Sequence, residues 1–406
     1  PEYRAINIDN LANSGVIGFD GNWDREEPFE FDLDVSYLID RFDACRFVSL
    51  GAGGGMDVMK ALQAGAAEVH AVEVNRHINR MMLEGDPAGY IIRDSTVSDS
   101  TGALITTPAY TGFLYYDQRV KVATEDARTY VRRHRNTLDV IFSLSSNTRD
   151  ALASGSLAIA ENYLFTKEAF EDYWLALSDE GFLSMEHQVY MPRLVSAALL
   201  ALEELGVEEP RDHIAVYDFP LLRRNVLLLS KRPLTDEIRT SVYRGVTPAR
   251  QDTVRLLYPA SDSLADNLIN RIVTDGWRGQ SDHAAIDISP TTDDRPFVAQ
   301  LGKWENLTRE NLNELNRFSE FQGFPLSKLI VVIILLVVTC LTLPLNLLPY
   351  LRRGVKLRPV PWLYFFAIGV AFMAVEVVLI QRYALFIGTS LYSIATVLLT
   401  LLIAAG

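Results

Sequence analysis

The sequence predicts an α/β fold with a Rossmann-like, doubly wound sheet, followed by α-helical transmembrane segments. Residues 47–74 have the pattern of an apolar strand, a glycine loop, a helix and a second apolar strand that ends at an acid. Strands and helices continue to alternate as far as Glu186, which is typical of a parallel sheet with helices on both faces. Beyond residue 326 the chain becomes almost continuously apolar, which indicates helices that cross a membrane.

The glycine loop consists of Gly51, Gly53, Gly54 and Gly55 and stands before the first helix of this unit. Glycine lacks a Cβ atom, so the backbone can turn sharply there and a ligand can approach the N–H groups at the start of the helix. Glu73 follows Gly51 by 22 residues, where such folds place a carboxylate that binds ribose hydroxyls. The segment therefore predicts a nucleotide site, with a tight strand-to-helix turn as the alternative.

The remaining elements of the sheet are predicted from segments after Glu73. Residues 119–123, 138–144 and 182–186 have strand patterns, residues 127–135 and 168–177 have helix patterns, and residues 178–181 are predicted to turn. Parallel sheets of this type bind ligands in a crevice at the carboxyl ends of their strands. We expect Gly53, Glu73, Asp126 and Ser143 to line that crevice.

Together these segments resemble a class I S-adenosylmethionine-dependent methyltransferase fold, most similar to spermidine synthase. Two further motifs, ENYLFTKEAF from Glu161 and DISPTTDDRPF from Asp287, resemble those of spermidine-synthase-like integral membrane proteins. The resemblance implies that S-adenosylmethionine or decarboxylated S-adenosylmethionine binds here. Glu73 would then bind the ribose hydroxyls, Asp126 the adenine amino group, and the backbone of residues 51–55 the aminoacyl or aminopropyl end.

The chain departs from polyamine synthases at two carboxylates. Those enzymes carry an aspartate within the glycine loop and another after the fourth strand, where the acid binds and deprotonates the attacking amine. Here the loop has no acid, and Ser143 is followed by Leu, Ser, Ser and Asn. Asp57 is a substitute for the first acid, although a helix cap is the favoured interpretation. Ordinary spermidine synthesis, which needs a base to free the amine lone pair, is therefore in doubt.

Other residues near the crevice have both a chemical and a structural interpretation. Glu161 would replace the missing base, or it is only an acid at a helix N-terminus. Tyr163 would stack on or hydrogen-bond a substrate, or it belongs to the core. His187 has no triad partner at a recognisable position and is predicted to be structural. We take Glu161 and Tyr163 as the candidate catalytic residues.

The Asp293-Asp294-Arg295 segment invites a metal interpretation, because adjacent carboxylates can hold a hard cation. Prolines on both sides favour a rigid turn instead, and we predict a hydrogen-bonded latch and no metal site. Arg193 is a candidate partner for one of these acids.

The C-terminal region separates from the rest by hydropathy and charge. Residues 329–348 contain no charged residue, and residues 361–385 and 384–405 are similarly apolar, with a reversal expected at residues 388–390. Residues 326–406 carry a net charge of +5 against −13 for the whole chain, which leaves −18 for residues 1–325. Such an acidic part argues against a nucleic-acid partner.

These patterns predict four regions. Residues 1–40 form a strand or hairpin elaboration, residues 41–230 the nucleotide-binding domain, residues 231–325 an elaboration and connector, and residues 326–406 about three transmembrane helices. The sequence opens without Met and closes inside an apolar run, so we expect a piece of a longer, multi-pass protein.

Two opposing arguments bear on the side of the membrane on which the soluble part lies. Arg352, Arg353, Lys356 and Arg358 follow the first span and place that loop in the cytoplasm by the positive-inside rule, with the soluble part outside. S-adenosylmethionine is made in the cytoplasm, and on that ground we expect the soluble part on the cytoplasmic side of the cell (inner) membrane.

Two functions from different classes follow. The first is a membrane-anchored transferase that moves a methyl or aminopropyl group to a small-molecule acceptor. The second is a non-catalytic nucleoside-binding sensor or an accessory domain of a membrane transporter, which the missing acids and the intramembrane Glu376 favour. A lipid bilayer is the expected partner, and a homo-oligomer stays open.

Overall fold

The computed structural model describes residues 3–8, 12–24, 29, 35–85, 106–144, 161–187, 189–243, 254–315, 323–351, 358–387 and 390–405. The chain divides into two compact units, Pro1–Phe324 and Pro325–Gly406. The first unit contains the predicted α/β sheet, and the second contains apolar helices.

The described strands of the first unit form a two-stranded hairpin and an eight-stranded sheet. They are β1 (Tyr3–Ile8), β2 (Ala12–Ile17), β3 (Arg46–Leu50), β4 (Glu68–Val72), β5 (Val120–Ala123), β6 (Leu138–Ser143), β7 (Leu177–His187), β8 (Ile214–Phe219), β9 (Arg224–Ser230) and β10 (Arg255–Tyr258).

The described α-helices of this unit lie mainly between the strands. They are α1 (Ser36–Ile39), α2 (Met56–Gln63), α3 (Arg76–Glu84), α4 (Thr107–Tyr110), α5 (Ala127–Arg133), α6 (Lys167–Ala176), α7 (Met191–Glu204), α8 (Asp236–Ser241), α9 (Leu268–Asp275), α10 (Trp277–Gln280) and α11 (Arg309–Leu315). Short 3-10 turns cover Leu114–Tyr116, Pro210–His213, Asp262–Leu264 and Trp304–Asn306.

The strand order of the large sheet is β10-β8-β9-β7-β6-β3-β4-β5. The five strands from β5 to β7 are parallel, and β9, β8 and β10 extend the sheet in antiparallel fashion. The chain winds from β3 outward to β5 and then returns to β6 on the other side of β3. This reversal is the topological switch point of a Rossmann-like fold, so the predicted mixed α/β architecture is confirmed.

Alternate residues of the central strands build two separate cores. On one face Phe47 of β3 stacks on Phe142 of β6, with 5.8 Å between the ring centroids. On the opposite face Val48 and Ile141 pack with α5, α6 and α7. Both faces are buried, so these strands are nearly continuous apolar runs, as expected for a parallel sheet.

Residues 178–181 differ from the prediction. They were expected to form a turn before a strand, but they lie within β7. The pairing of β6 with β7 shifts register there, because Leu138 pairs with Leu177 whereas Val140 pairs with Phe182. The polar residues that favour a turn are accommodated as an irregularity inside one long strand.

The segment 287–297 is fastened to the α/β core through Arg128. The Arg128 guanidinium donates to both carboxylate oxygens of Asp293, at 2.6 and 3.0 Å, and its Nε donates to Asp172 at 2.7 Å. Asp293 also accepts from the Thr166 hydroxyl at 2.8 Å, and its N–H donates to Glu168 at 2.9 Å. The predicted hydrogen-bonded latch is confirmed.

Arg193 has a different partner from the one expected. Its guanidinium lies 3.6 Å from Asp287 and donates to the carbonyl oxygens of Ser289, Phe297 and Val298 at 2.9 to 3.1 Å. The side chain is fully buried, so it holds a loop backbone that cannot hydrogen-bond to water. The expected pairing with Asp293 or Asp294 was wrong.

The second unit consists of α12 (Leu326–Leu351), α13 (Pro359–Ile387) and α14 (Ser390–Ala405). Two stretches are long and apolar enough to cross a membrane, Lys328–Leu345 with a mean hydropathy of 2.7 and Val360–Ile380 with 2.4. The apolar part of α14, Ile394–Ala404, is shorter than a span. The expectation of three such segments is therefore met by two among the described residues, and positions 388 and 389 of the predicted reversal lie outside them.

The latch predicts a large difference between two arginines of helix α5. Arg128→Met keeps an extended side chain but leaves Asp172 and Asp293 without their buried cation, so the free energy of unfolding should fall by about 3–5 kcal/mol. Arg132→Met is the matched control, because Arg132 also faces Asp172, at 3.7 Å, but its side chain is 56% exposed. Exposed pairs contribute about 1 kcal/mol or less.

Urea unfolding of the full chain in detergent, followed by tryptophan fluorescence, measures both variants. Equal losses in the two variants would contradict the latch.

Candidate functional site

Four predicted site residues lie at or just after the carboxyl ends of four neighbouring parallel strands. Gly51 comes directly after β3, Glu73 directly after β4, Asp126 shortly after β5, and Ser143 ends β6. These strands are adjacent in the order β5-β4-β3-β6. Their carboxyl ends share one edge of the sheet, so these four positions lie at the edge where a ligand crevice was expected, and Gly53 of the predicted set lies two residues beyond Gly51.

Glu73 connects the glycine loop to the end of β4. Its Oε2 accepts a hydrogen bond from the Gly53 N–H at 3.2 Å, and its Oε1 accepts from the Asn75 N–H at 2.8 Å. The residue is only 8% exposed. Each carboxylate oxygen accepts up to two hydrogen bonds, so both oxygens keep acceptor capacity for a further donor.

The N-terminal hairpin covers one side of the glycine loop. The Ser14 hydroxyl of β2 accepts a hydrogen bond from the Gly54 N–H at 2.7 Å. A Cβ atom at Gly54 would overlap the carbonyl oxygen of Gly15, so this glycine permits the close approach of β2. No local pattern indicates this contact, because residues 14 and 54 are far apart in the chain.

All four glycine N–H groups of the loop have acceptors within the chain. Besides the bonds to Glu73 and Ser14, Gly51 donates to the Val72 carbonyl at 2.8 Å and Gly55 to the Ala52 carbonyl at 2.9 Å. Gly51 has a φ of +85°, is exposed, and has nothing within 4 Å of the position of a Cβ atom. The loop therefore offers a ligand the open face of Gly51 and not the row of N–H donors that the sequence suggested.

Tyr115 holds the backbone of the glycine loop at a further polar group. Its hydroxyl donates to the Gly53 carbonyl at 3.0 Å, and the side chain is buried. Burial raises the pKa of Tyr115, and the nearby Glu73 and Asp57 carboxylates raise it further. Tyr115 is thus a permanent donor that fixes the backbone next to Glu73.

Asp126 has a local structural role at the crevice edge. It is the N-cap of α5, and its Oδ1 accepts from the Thr129 N–H at 2.9 Å. The residue is half-buried. A capping aspartate still has acceptor capacity on its second oxygen, so the cap does not exclude a ligand.

Ser143 is buried at the end of β6, opposite Met185 of β7.

Glu161 and Tyr163 form a separate hydrogen-bonded pair. The Tyr163 hydroxyl donates to Glu161 Oε2 at 2.8 Å. Burial raises the pKa of Tyr163, and the bond to Glu161 adds to the effect. The Tyr163 carbonyl accepts from Arg128 at 3.3 Å, and the Asn162 N–H donates to the Pro296 carbonyl at 2.8 Å. This pair is therefore positioned by the latch and not by the glycine loop.

Asp57 does not cap helix α2, contrary to the prediction. Gly55 occupies the cap position, and the Asp57 side chain points inward, where it accepts from the Ser49 hydroxyl at 3.1 Å and lies 3.8 Å from Lys60 Nζ. Burial raises the pKa of Asp57, and Lys60 opposes the shift. The sequence could not indicate this, because the contact depends on how α2 packs on β3.

Glu186 is a buried carboxylate that the sequence reasoning missed as a site residue. It lies near the carboxyl end of β7, next to β6, and Arg224 Nη1 donates to its Oε2 at 3.2 Å. Burial raises the pKa of Glu186, and Arg224 lowers it in part. A signal was present, because Glu186 interrupts an apolar strand at the same sheet edge as Ser143.

His187 is structural, as expected. Its Nδ1 accepts the backbone N–H groups of Val189 and Tyr190, each at 3.2 Å, which satisfies donors just before helix α7. The ring stacks on Tyr190. Burial lowers the pKa of His187 to about 3, so the ring stays neutral at physiological pH.

Within the described ranges, no three His, Cys, Asp or Glu side chains lie together as ligands for a metal ion. The carboxylate of Asp293, which was considered as a metal ligand, is hydrogen-bonded to Arg128.

Comparisons with known proteins give solved structures of two related classes. A spermidine synthase in complex with the transition-state analogue AdoDATO is 15% identical, over 54% of this chain and 62% of that chain, with a TM-score of 0.33. A probable spermidine synthase from Corynebacterium glutamicum is 16% identical over 61% and 84%, with a TM-score of 0.37. Human methyltransferase-like protein 13 in complex with SAH is 13% identical over 53% and 85%, with a TM-score of 0.35.

The chain thus spans less than two thirds of the first of these proteins. No family model and no curated protein matches the sequence. At such low identities and TM-scores these likenesses carry no argument, and the Rossmann-like fold rests on the strand order and the switch point described above.

Proposed function

We propose that this chain is a spermidine-synthase-like, membrane-anchored transferase that binds S-adenosylmethionine or decarboxylated S-adenosylmethionine. The observation that carries the proposal is the convergence of Gly51, Glu73, Asp126 and Ser143 at the carboxyl ends of four adjacent parallel strands. Two helices that are long and apolar enough to cross a membrane support the anchor. The soluble unit would lie on the cytoplasmic side of the inner membrane, where the sulfonium substrate is made.

The crevice residues suit a nucleoside in two ways. Glu73 is buried and keeps acceptor capacity, so ribose hydroxyls would form charge-assisted bonds to it, and the second oxygen of Asp126 would accept from the adenine amino group. The open face of Gly51 leaves room for the sulfonium end beside the loop.

In the transfer, the acceptor lone pair forms a bond to the carbon next to the sulfonium. The carbon–sulfur bond breaks with its electron pair on sulfur, and a base takes the proton that the acceptor loses. Positioning and exclusion of water supply most of the rate in such a displacement. Glu161, held by Tyr163, and Glu186, whose pKa burial raises, are the carboxylates available as the base.

One observation favours the non-catalytic alternative. The loop carries no acid to hold a cationic amine. A nucleoside sensor or a transporter accessory domain would need binding but no base. Turnover, and not binding, therefore discriminates between the two functions.

The ligand-binding part predicts the effect of Glu73→Gln. This change keeps the side-chain shape and one acceptor oxygen for the loop but removes the charge, so binding of S-adenosylmethionine and 5′-methylthioadenosine should weaken by about 1.5–3 kcal/mol. Glu84→Gln is the matched control, since Glu84 is an exposed glutamate of α3 that pairs with Arg80 at 2.7 Å. Its affinity should equal that of the natural chain.

Isothermal titration calorimetry of the full chain in detergent measures both. Absence of binding by the natural chain, or equal affinity in the Glu73→Gln variant, would contradict the nucleoside site.

The departures from polyamine synthases predict weak spermidine synthesis. With putrescine and decarboxylated S-adenosylmethionine, turnover should stay well below roughly 1 per second, because a protonated amine without a dedicated carboxylate is a poor nucleophile. Mass spectrometry of the product follows the reaction. A turnover at or above that value would refute the prediction, and the loss of activity in Glu161→Gln or Glu186→Gln would then identify the base.

A further inference from the structure

An exposed apolar surface lies near the C-terminal end of the first unit. Trp304 is 51% exposed, Leu307 46% and Leu312 52%. Large apolar side chains that are adjacent and half exposed usually mark a surface that another phase or molecule covers. None of the three belongs to the crevice residues described above.

The start of helix α11 fixes the positions of the two leucines. Thr308 precedes helix α11, and its hydroxyl accepts from the Asn311 N–H at 3.2 Å, which makes it the N-cap. Leu307 and Leu312 therefore occupy the position before the cap and the fourth helical position, which are the two positions of a hydrophobic staple. The Leu307 N–H donates to the Trp304 carbonyl at 3.0 Å, so Trp304 stands directly before this pair.

The surface is also fastened to the residue that precedes the apolar helices. The Lys303 N–H and the Asn306 side chain, on either side of Trp304, both donate to the Gly323 carbonyl, at 3.0 and 2.8 Å. A Cβ atom at Gly323 would overlap the Ala285 carbonyl, so the close contact between these two backbone segments requires glycine at position 323. Four residues separate Gly323 from Lys328, where the apolar stretch begins, and the five Cα–Cα steps between the two reach at most about 18 Å.

We propose that Trp304, Leu307 and Leu312 form a membrane-contact surface that inserts into the interface of the lipid bilayer. The inference rests on the membrane anchor of the proposed function, because only a chain whose α12 enters the bilayer holds this surface near it. Tryptophan is enriched at the level of the lipid headgroups, where one side of the indole is apolar and its N–H is hydrated. The charges nearby are of both signs, Glu305, Arg309 and Glu310, so apolar insertion and not attraction to anionic lipid drives the contact.

Spin labels in the full chain test the surface. A Cys340→Ser background removes the exposed cysteine, and Cys45 is buried. Single cysteines then replace Trp304, Leu221 and Val337. Leu221 is a matched control at 61% exposure in the β8–β9 connection, and Val337 lies in the first candidate span. The protein is placed in nanodiscs of phosphatidylcholine, and collisions of each nitroxide with oxygen and with a water-soluble nickel chelate are measured.

We expect the ratio of oxygen to nickel collisions at position 304 to be several-fold higher than at position 221 and lower than at position 337. If the collision ratio at position 304 equals that at position 221 while the ratio at position 337 is that of the bilayer interior, the membrane-contact surface is contradicted and the membrane anchor is not. Shielding of 304 from both reagents indicates a second copy or another protein on the surface and also overturns it. Access of the nickel chelate to 337 overturns the anchor and the surface together.

Discussion

The Glu73 carboxylate holds the glycine loop against the end of β4, and the geometry of the crevice depends on this contact. One Glu73 oxygen accepts from the Gly53 N–H, and the Tyr115 hydroxyl donates to the Gly53 carbonyl. Both backbone polar groups of Gly53 are therefore held by hydrogen bonds. A buried carboxylate is stable only with such donors, so the acid that would bind a ribose also orders the loop beside it.

A second buried charge, Arg128, organises the segments around helix α5. Arg128 joins helices α5 and α6 to the segment 287–297, and through its bond to the Tyr163 carbonyl it also positions the Glu161–Tyr163 pair. Asp126, the cap of α5, stands two residues before Arg128. A shift of the latch would thus move a crevice residue and a candidate base together, which couples the stability of the core to the geometry of the site.

Local patterns predicted the parts of the fold that are set by local forces. The strand–glycine–helix–strand unit, the position of Glu73 at a strand end and the latch at Asp293 could all be inferred, because turn chemistry and strand burial leave regular signals. The contact of Ser14 with Gly54 and the burial of Asp57 between α2 and β3 could not, since both depend on packing between distant segments. The irregularity at residues 178–181 was predicted as a turn because its polar residues are the same in a bulge and in a turn.

The central claim is that the crevice at the carboxyl ends of β3 to β6 holds an adenosine group, and photo-cross-linking tests its location directly. An azido-adenine derivative of S-adenosylmethionine is irradiated with the full chain, and the labelled peptides are identified by mass spectrometry. We expect label in peptides that contain Glu73 or Asp126, and loss of that label in excess S-adenosylmethionine. Label elsewhere in the chain, or label that unmodified S-adenosylmethionine does not displace, would contradict it.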